Sequence, residues 1–233
     1  MTDPDHDHVL ALVGRRWNGW APVYDDEPDH GLRDPAVREA WRAHLRSWLP
    51  DAPADVADLG CGTGSLAVLA AADGHRVRGV DLAPAMVERA RAKAAALDLD
   101  ATFVVGDAGD PPIVPGSLDV VLARHVAWTL PDPHAALRRW CGLLRPGGRL
   151  VLVEGRWAVP QDTAADTGED PDGARLPATL PWTGGVTAAT LRAAVAPLVD
   201  RCEVHPLSGE DVLWGRPVDD ERYALVARRP GGG

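Results

Sequence analysis

The chain has 233 residues, 45% hydrophobic and 25% charged, with 24 Lys+Arg against 34 Asp+Glu and a formal net charge of −10. That length suits one domain with additions and can bury a core without disulfides or metal. The acidic balance argues against a dedicated nucleic-acid binder, whose affinity comes mostly from basic residues facing phosphates. Nine tryptophans stand against two tyrosines and one phenylalanine.

The first eight residues are acidic and dotted with His6 and His8. Two histidines among aspartates could hold a metal, but a terminus without apolar anchors reads as a solvated start, and no metal is expected. No basic stretch leads into an apolar one, and no apolar run approaches the roughly 20 residues that span a bilayer. Cys61, Cys141 and Cys202 are far apart and form no C-x-x-C pair, which fits a reducing compartment. These features predict a soluble, cytoplasmic protein with no membrane partner.

Asp34-Pro35 sets a cap and a proline start for a helix on which Val37, Trp41, Leu45 and Trp48 recur at spacings of four, four and three. A strand over 55–59 runs into Gly60-Cys61-Gly62-Thr63-Gly64, and the helix after it stops near Gly74. A second strand, His75 to Val80, ends in Asp81. Pro84 opens a helix with Val87, Ala90, Ala94 and Leu97 as its buried stripe. Strands follow over 101–106 and 118–123. Asp132-Pro133 then starts a helix with Leu137, Trp140, Cys141 and Leu144 on one face, broken by Pro146-Gly147-Gly148 before the apolar 150–153 strand. Five strands joined by crossovers predict a parallel sheet covered on both faces. About 155–185 is acidic and poor in apolar anchors, a lid or an idle loop. Thr187 caps a further helix (Leu191, Val195, Leu198), and strands over 201–207 and 222–227 close the chain.

In an open α/β sheet, ligands sit beyond the carboxyl ends of the strands. Glycines at 60, 62 and 64 let the backbone turn tightly and approach a ligand, and the next helix offers free N–H groups. Asp81, ending the second strand, can take both hydroxyls of a ribose. Together these predict a nucleoside-containing cofactor. Ser65 stands where a dinucleotide fingerprint wants glycine, which disfavours a dehydrogenase.

Five blocks in this order, Val56 to Gly64, Gly79 to Met86, Gly106-Asp107-Ala108, Asp119 to His125 and Leu144 to Leu150, make the chain resemble the class I S-adenosylmethionine-dependent methyltransferases of the small-molecule type. The resemblance covers about 24–227. It implies an α/β, Rossmann-like seven-stranded sheet, mostly parallel with the last strand antiparallel and helices on both faces. The domain would span 35–233 with the lid-like insert, and 1–34 would form an N-terminal lid or cap.

The resemblance also implies roles by position. The Gly60-Cys61-Gly62-Thr63-Gly64 loop would pack on the methionine and ribose portion of S-adenosyl-L-methionine, with Asp58 beneath it and Asp81 on the ribose. Leu82 and Met86 would flank the adenine, Asp107 would hydrogen-bond its amino group with Ala108 nearby, and Arg124 would lie beside the methionyl ammonium. Tyr24 matches a position that folds over the cofactor. Ala83 stands where many relatives carry Ser, at the cost of a helix cap. Asp110-Pro111-Pro112-Ile113 precedes the fourth strand, ends in Ile, and reads as a loop.

Methyl transfer leaves S-adenosyl-L-homocysteine and needs, for a hydroxyl acceptor, removal of a proton. His125, just past the fourth strand, is either that base or a pocket group that hydrogen-bonds the acceptor. His30 is the second choice. Trp17, Trp20, Trp128, Trp157 and Trp182 are expected to roof the acceptor site with His30 and His125, and Trp41, Trp48 and Trp140 to be core. The expected activity is methylation of O or N on a small, flat or apolar metabolite. The Ala-, Arg-, Pro- and Trp-rich, Lys-poor composition suggests natural-product biosynthesis, and a monomer or homodimer is expected. A cyclisation or other non-methylating reaction, or a non-catalytic cofactor-binding partner, is the alternative.

Overall fold

The computed structural model describes residues 4–157 and 180–232. Its elements, in chain order, are α1 (Pro4–Trp20), a 3₁₀ turn (Tyr24–Asp26), α2 (Pro28–Gly31), α3 (Pro35–Trp48), β1 (Asp55–Leu59), α4 (Ser65–Ala72), β2 (Arg76–Asp81), α5 (Pro84–Ala96), β3 (Ala101–Val105) and β4 (Leu118–Arg124). After a 3₁₀ turn (Ala127–Thr129) come α6 (Pro133–Leu143), β5 (Leu144–Arg156), α7 (Ala188–Val195), β6 (Arg201–Pro206), α8 (Asp211–Trp214) and β7 (Glu221–Arg228). The strands form one sheet in the order β3-β2-β1-β4-β5-β7-β6. β1 to β5 pair in parallel, and β7 inserts antiparallel between β5 and β6. The seven-stranded Rossmann-like sheet is therefore as expected. The strand order reverses beside β1 and β4, so the crevice at their carboxyl ends is the place for a ligand.

Two apolar layers cover the sheet. On one face Trp41, Leu45 and Trp48 of α3 pack with Leu66, Ala90, Phe103 and Trp214. On the other, Leu137, Trp140 and Cys141 of α6 pack with Leu191, Val195 and Tyr223. Trp41, Trp140 and Trp214 are fully buried, and each indole N–H donates to a carbonyl, of Leu213, Ala108 and Leu207 respectively. A buried indole needs such a partner. The caps read from sequence are present: Asp34 accepts the N–H of Ala36, Asp132 that of Ala135, and Thr187 that of Thr190.

Three local readings change. The solvated start is instead largely α1, because Leu10, Val13 and Trp17 lie along one side of it and reach the carboxyl edge of the sheet. Leu97 lies just beyond α5 and is 59% exposed, so Met86 rather than Leu97 completes that buried stripe. Of the acidic insert, 158–179 lies outside the described residues. Its stem is closed by an Arg156–Gly185 bridge and by the Val186 N–H donating to the Gly155 carbonyl at 2.8 Å.

Candidate active site

A cleft of about 500 Å³ opens at the carboxyl ends of β1, β2 and β4. Its floor is the turn after β1. Gly60, Gly62 and Gly64 have φ of 68°, 54° and 79°, a region that side-chain-bearing residues rarely adopt. A Cβ on Gly60 would stand 2.2 Å from Val126, and one on Gly62 would stand 3.4 Å from the Tyr24 ring. Glycine here lets the loop, the turn after β4 and Tyr24 close on one another.

Asp81 is buried at the end of β2, one oxygen accepting the Gly62 N–H at 2.8 Å and the other the Ala83 N–H at 2.9 Å. Burial pushes its carboxyl up, and those amide donors oppose the shift. Each oxygen keeps a further acceptor position, and the carboxylate lines the cleft, so the group fits a vicinal diol. Leu82 and Met86 form an apolar wall beside it, with Leu10, Val13 and Trp17 of α1 across the cleft. Asp107 also lines the cleft. One of its oxygens accepts the Gly109 N–H at 2.7 Å, and the other lies 3.8 Å from His6 Nε2.

The 3₁₀ turn at Tyr24 is anchored to the glycine loop through Asp25. Its carboxylate accepts from the Thr63 hydroxyl at 2.5 Å and from Lys93 at 2.9 Å, while Lys93 also reaches Thr63 and Ser65. Burial raises the Asp25 carboxyl, but Thr63 and Lys93 outweigh it and hold the group below its ordinary range. Tyr24 stacks on His30 at 4.3 Å and 9°, and meets Trp17 edge-on at 6.0 Å. Its buried phenol is pushed up to about 12 by desolvation, so it stays a neutral hydroxyl. Arg124 lies over Trp41 at 5.0 Å and donates to the Asp29 carbonyl, joining β4 to α2.

His125 follows β4 with φ of 57°, an uncommon conformation for a residue with a side chain. Its ring sits between Trp157, at 4.9 Å, and the edge-on Trp214, at 6.1 Å. Its Nε2 is buried without a hydrogen-bond partner among the described residues, as is Nδ1 of His30. Burial, then the Arg124 guanidinium, hold His125 well below the usual histidine range. Desolvation also lowers His30. Both rings are therefore neutral near pH 7 and line the cleft with Trp128.

The structure thus brings Tyr24, Gly60, Gly62, Asp81, Leu82, Met86, Asp107, Ala108 and Arg124 to one cleft, with Trp17, His30, His125, Trp128 and Trp157. Five other expected site residues are not among its lining. Asp58 lies buried beneath the glycine loop, its carboxyl pushed up to about 7 by desolvation. Cys61 turns into the core toward Gly79, and Gly64 caps α4 close to Ala90. Trp20 packs against the small cluster of Ala21, Ala83 and Met86. Trp182 is buried edge-on to His134 in the layer under α6. Sequence reasoning missed Asp220 and Arg222, a bidentate pair at 2.7 and 3.1 Å on the cleft wall. It also left Trp214 without a place. Their part of the chain carries no motif, and only the pairing of β7 with β5 brings it to the cleft.

The model of the family described as Methyltransferase domain matches residues 57–152, the segment from β1 to β5 that builds the glycine loop, Asp81 and His125. Over that segment the chain is similar to the class I S-adenosylmethionine-dependent methyltransferases. It is 34% identical over 147 residues to the ubiquinone biosynthesis O-methyltransferase of Xanthomonas euvesicatoria pv. vesicatoria, covering 63% of this chain and 58% of that one. It is 40% identical over 131 residues to the nocamycin O-methyltransferase of Saccharothrix syringae, covering 53% and 47%. The chain therefore spans about half the length of the curated relatives it matches. In fold it resembles the geranyl diphosphate C-methyltransferase of Streptomyces coelicolor A3(2), solved with Mg2+, geranyl diphosphate and S-adenosyl-L-homocysteine. The TM-score is 0.60 at 20% identity, over 82% of this chain and 79% of that one.

Proposed function

We propose that this methyltransferase moves the methyl group of S-adenosylmethionine to a hydroxyl oxygen of a small, flat or apolar metabolite. The observation that carries this reading is the buried Nε2 of the neutral His125, without a hydrogen-bond partner among the described residues, in the indole-lined cleft that Asp81 also lines. The two curated relatives quoted above are both named O-methyltransferases, which favours oxygen over nitrogen. The nocamycin relative supports a role in natural-product biosynthesis.

When bound, S-adenosylmethionine supplies an electrophilic methyl group on a sulfonium. Asp81 would hold its ribose hydroxyls, Leu82 and Met86 its adenine, and Asp107 the adenine amino group. Asp58 would act from beneath through the loop rather than by contact. Trp17, Trp128 and Trp157 exclude water and present faces on which a planar acceptor can lie. His125 Nε2 takes the acceptor's hydroxyl proton as the oxygen becomes nucleophilic, and His30, which lines the same cleft, hydrogen-bonds the acceptor. A neutral imidazole is the form a base needs, and burial, which lowers His125, favours that form.

No helix of the described residues is long and apolar enough to cross a membrane. The formal net charge of −10 favours a small-molecule acceptor over nucleic acid, and we read the enzyme as cytoplasmic, a monomer or homodimer, without a membrane partner. The segment 1–34 serves as a cap on the cleft, and the 155–185 insert borders it through Trp157.

The test offers methyl-labelled S-adenosylmethionine with a panel of phenols, catechols and enols to the wild type and to His125→Ala. We expect label in an O-methyl product and a fall in turnover of about 100-fold or more in the variant, from loss of general-base catalysis. Affinity for S-adenosylhomocysteine should stay within about twofold. Full turnover in the variant overturns the base, and acceptor conversion without label overturns methyl transfer.

A further inference from the structure

Beyond the residues that face the cleft, Glu154 stands behind the turn that carries His125. It lies near the end of β5, 1% exposed, opposite Tyr223 of β7. One of its oxygens, Oε1, accepts the N–H groups of both Val126 and Ala127 at 2.9 Å. The N–H of His125 itself donates to the carbonyl of Val153 at 2.9 Å. Three consecutive amides, at 125, 126 and 127, are thus held by two consecutive residues of β5. The His125 carbonyl accepts from the Trp128 indole at 2.9 Å. The peptide planes on both sides of the His125 α-carbon are therefore tied, and they set the direction of its Cα–Cβ bond.

That restraint matters because the conformation is one that local sequence does not favour. His125 has a φ of 57°, and non-glycine residues hold such angles only where their surroundings over-determine them. A catalytic base is commonly oriented by a hydrogen bond to its second ring nitrogen. Among the described residues no hydrogen bond to the His125 ring is found, and its neighbours are the indoles of Trp157 and Trp214. Orientation must come from the backbone and from packing.

We propose that Glu154 is the positioning residue for His125, a buried carboxylate clamp that holds the turn after β4 so that the imidazole faces the acceptor. This rests on the reading of His125 as the base. A capping role confined to the 3₁₀ turn over 127–129 would use the same two hydrogen bonds, so the test must follow the imidazole and the chemistry as well as stability.

Glu154→Gln keeps a carbonyl oxygen able to accept both amides, whereas Glu154→Ala keeps none. Glu154→Gln is expected to retain turnover within about fivefold of wild type. Glu154→Ala is expected to lose about 30-fold or more in kcat, with the acceptor KM changed by less than about threefold. Adding Glu154→Ala to His125→Ala should cost nothing further, because both remove one device. Independently of activity, the His125 ring resonances of the folded protein, assigned by loss in His125→Ala, should shift in Glu154→Ala and hold in Glu154→Gln. Unmoved resonances in a folded Glu154→Ala overturn the clamp, as does an equal loss of turnover with and without His125. If Glu154→Ala does not fold, the clamp stands or falls on Glu154→Gln: unmoved ring resonances and retained turnover support it, and loss of either overturns it. Full turnover in His125→Ala with shifted resonances in Glu154→Ala sinks the base while leaving the clamp in place.

Discussion

Asn18 Oδ1 accepts the backbone N–H of Ala85 at 2.9 Å, so a side chain of α1 caps the start of α5. The residue at the cap position, Ala83, makes no side-chain cap bond, and Pro84 follows it. The hydroxyl missing at Ala83 is thus replaced by an amide from a distant helix, and the same bond ties α1 to the adenine wall at Leu82 and Met86.

Asn18→Ala should therefore lower stability by about 1 kcal/mol, the usual worth of a helix cap. It should also weaken S-adenosylhomocysteine binding several-fold, because Leu10, Val13 and Trp17 ride on α1. Urea unfolding and titration calorimetry read the two effects. An unchanged urea midpoint would show that the bond is idle in solution.

Asp81→Asn places an amide nitrogen against the N–H of either Gly62 or Ala83, since each carboxylate oxygen already accepts one of them. Cofactor affinity is expected to fall by about 100-fold, a loss of about 2.8 kcal/mol by the tenfold-per-1.4 relation. Calorimetry with S-adenosylhomocysteine measures it, and wild-type affinity would contradict the ribose assignment.

Lys93→Met removes the cation that joins Asp25, Thr63 and Ser65. The Lys93 side chain is 27% exposed, so the pair is partly screened, and about 1–2 kcal/mol of stability should be lost. Cofactor affinity should fall with it, because Asp25 anchors Tyr24 against Gly62. A variant with lowered stability but unchanged affinity would separate the cluster from the cleft.

Asp58 makes stability pH-dependent. Its folded-state carboxyl is raised by burial to about 7, so the folded protein keeps a proton that the unfolded chain has released. The resulting stabilisation is complete below the unfolded carboxyl range near 4 and is lost as pH rises through about 7. Glu154, also raised by burial to about 7, acts in the same direction. The lowered His30 and His125 oppose this below about pH 6.5, so the carboxyl contribution, up to about 1.4 kcal/mol per unit for each group between pH 5 and 7, is read by comparing variants in denaturant unfolding. Asp58→Asn should flatten that slope, and an unaltered slope would show that Asp58 takes up no proton on folding.

The glycine loop, Asp81 and the alternation of strands and helices were legible because each lies within a short run whose chemistry is local. Gly60 to Gly64 demands positive φ wherever it occurs, and Val37, Trp41, Leu45 and Trp48 declare a buried face by spacing alone. Trp20 and Trp182 were misplaced for the same reason. An indole states that it wants burial and a partner, and nothing in its neighbours says whether core or cleft will supply them. His125 was found at its strand end, but the left-handed turn that aims it was not, because Glu154 and Val126 meet only when β5 lies beside β4.

What this sequence determined by itself was the order of strands and helices, the glycine turn and the carboxylate at the end of β2, all consequences of near-neighbour chemistry and hydrophobic period. Only the tertiary structure decided that α1 walls the cleft, that Asp220 and Arg222 border it, that Trp214 stands behind His125 and that Glu154 holds the turn. Those contacts join residues far apart in the chain, and their partners are chosen by sheet order and packing, which no local pattern encodes.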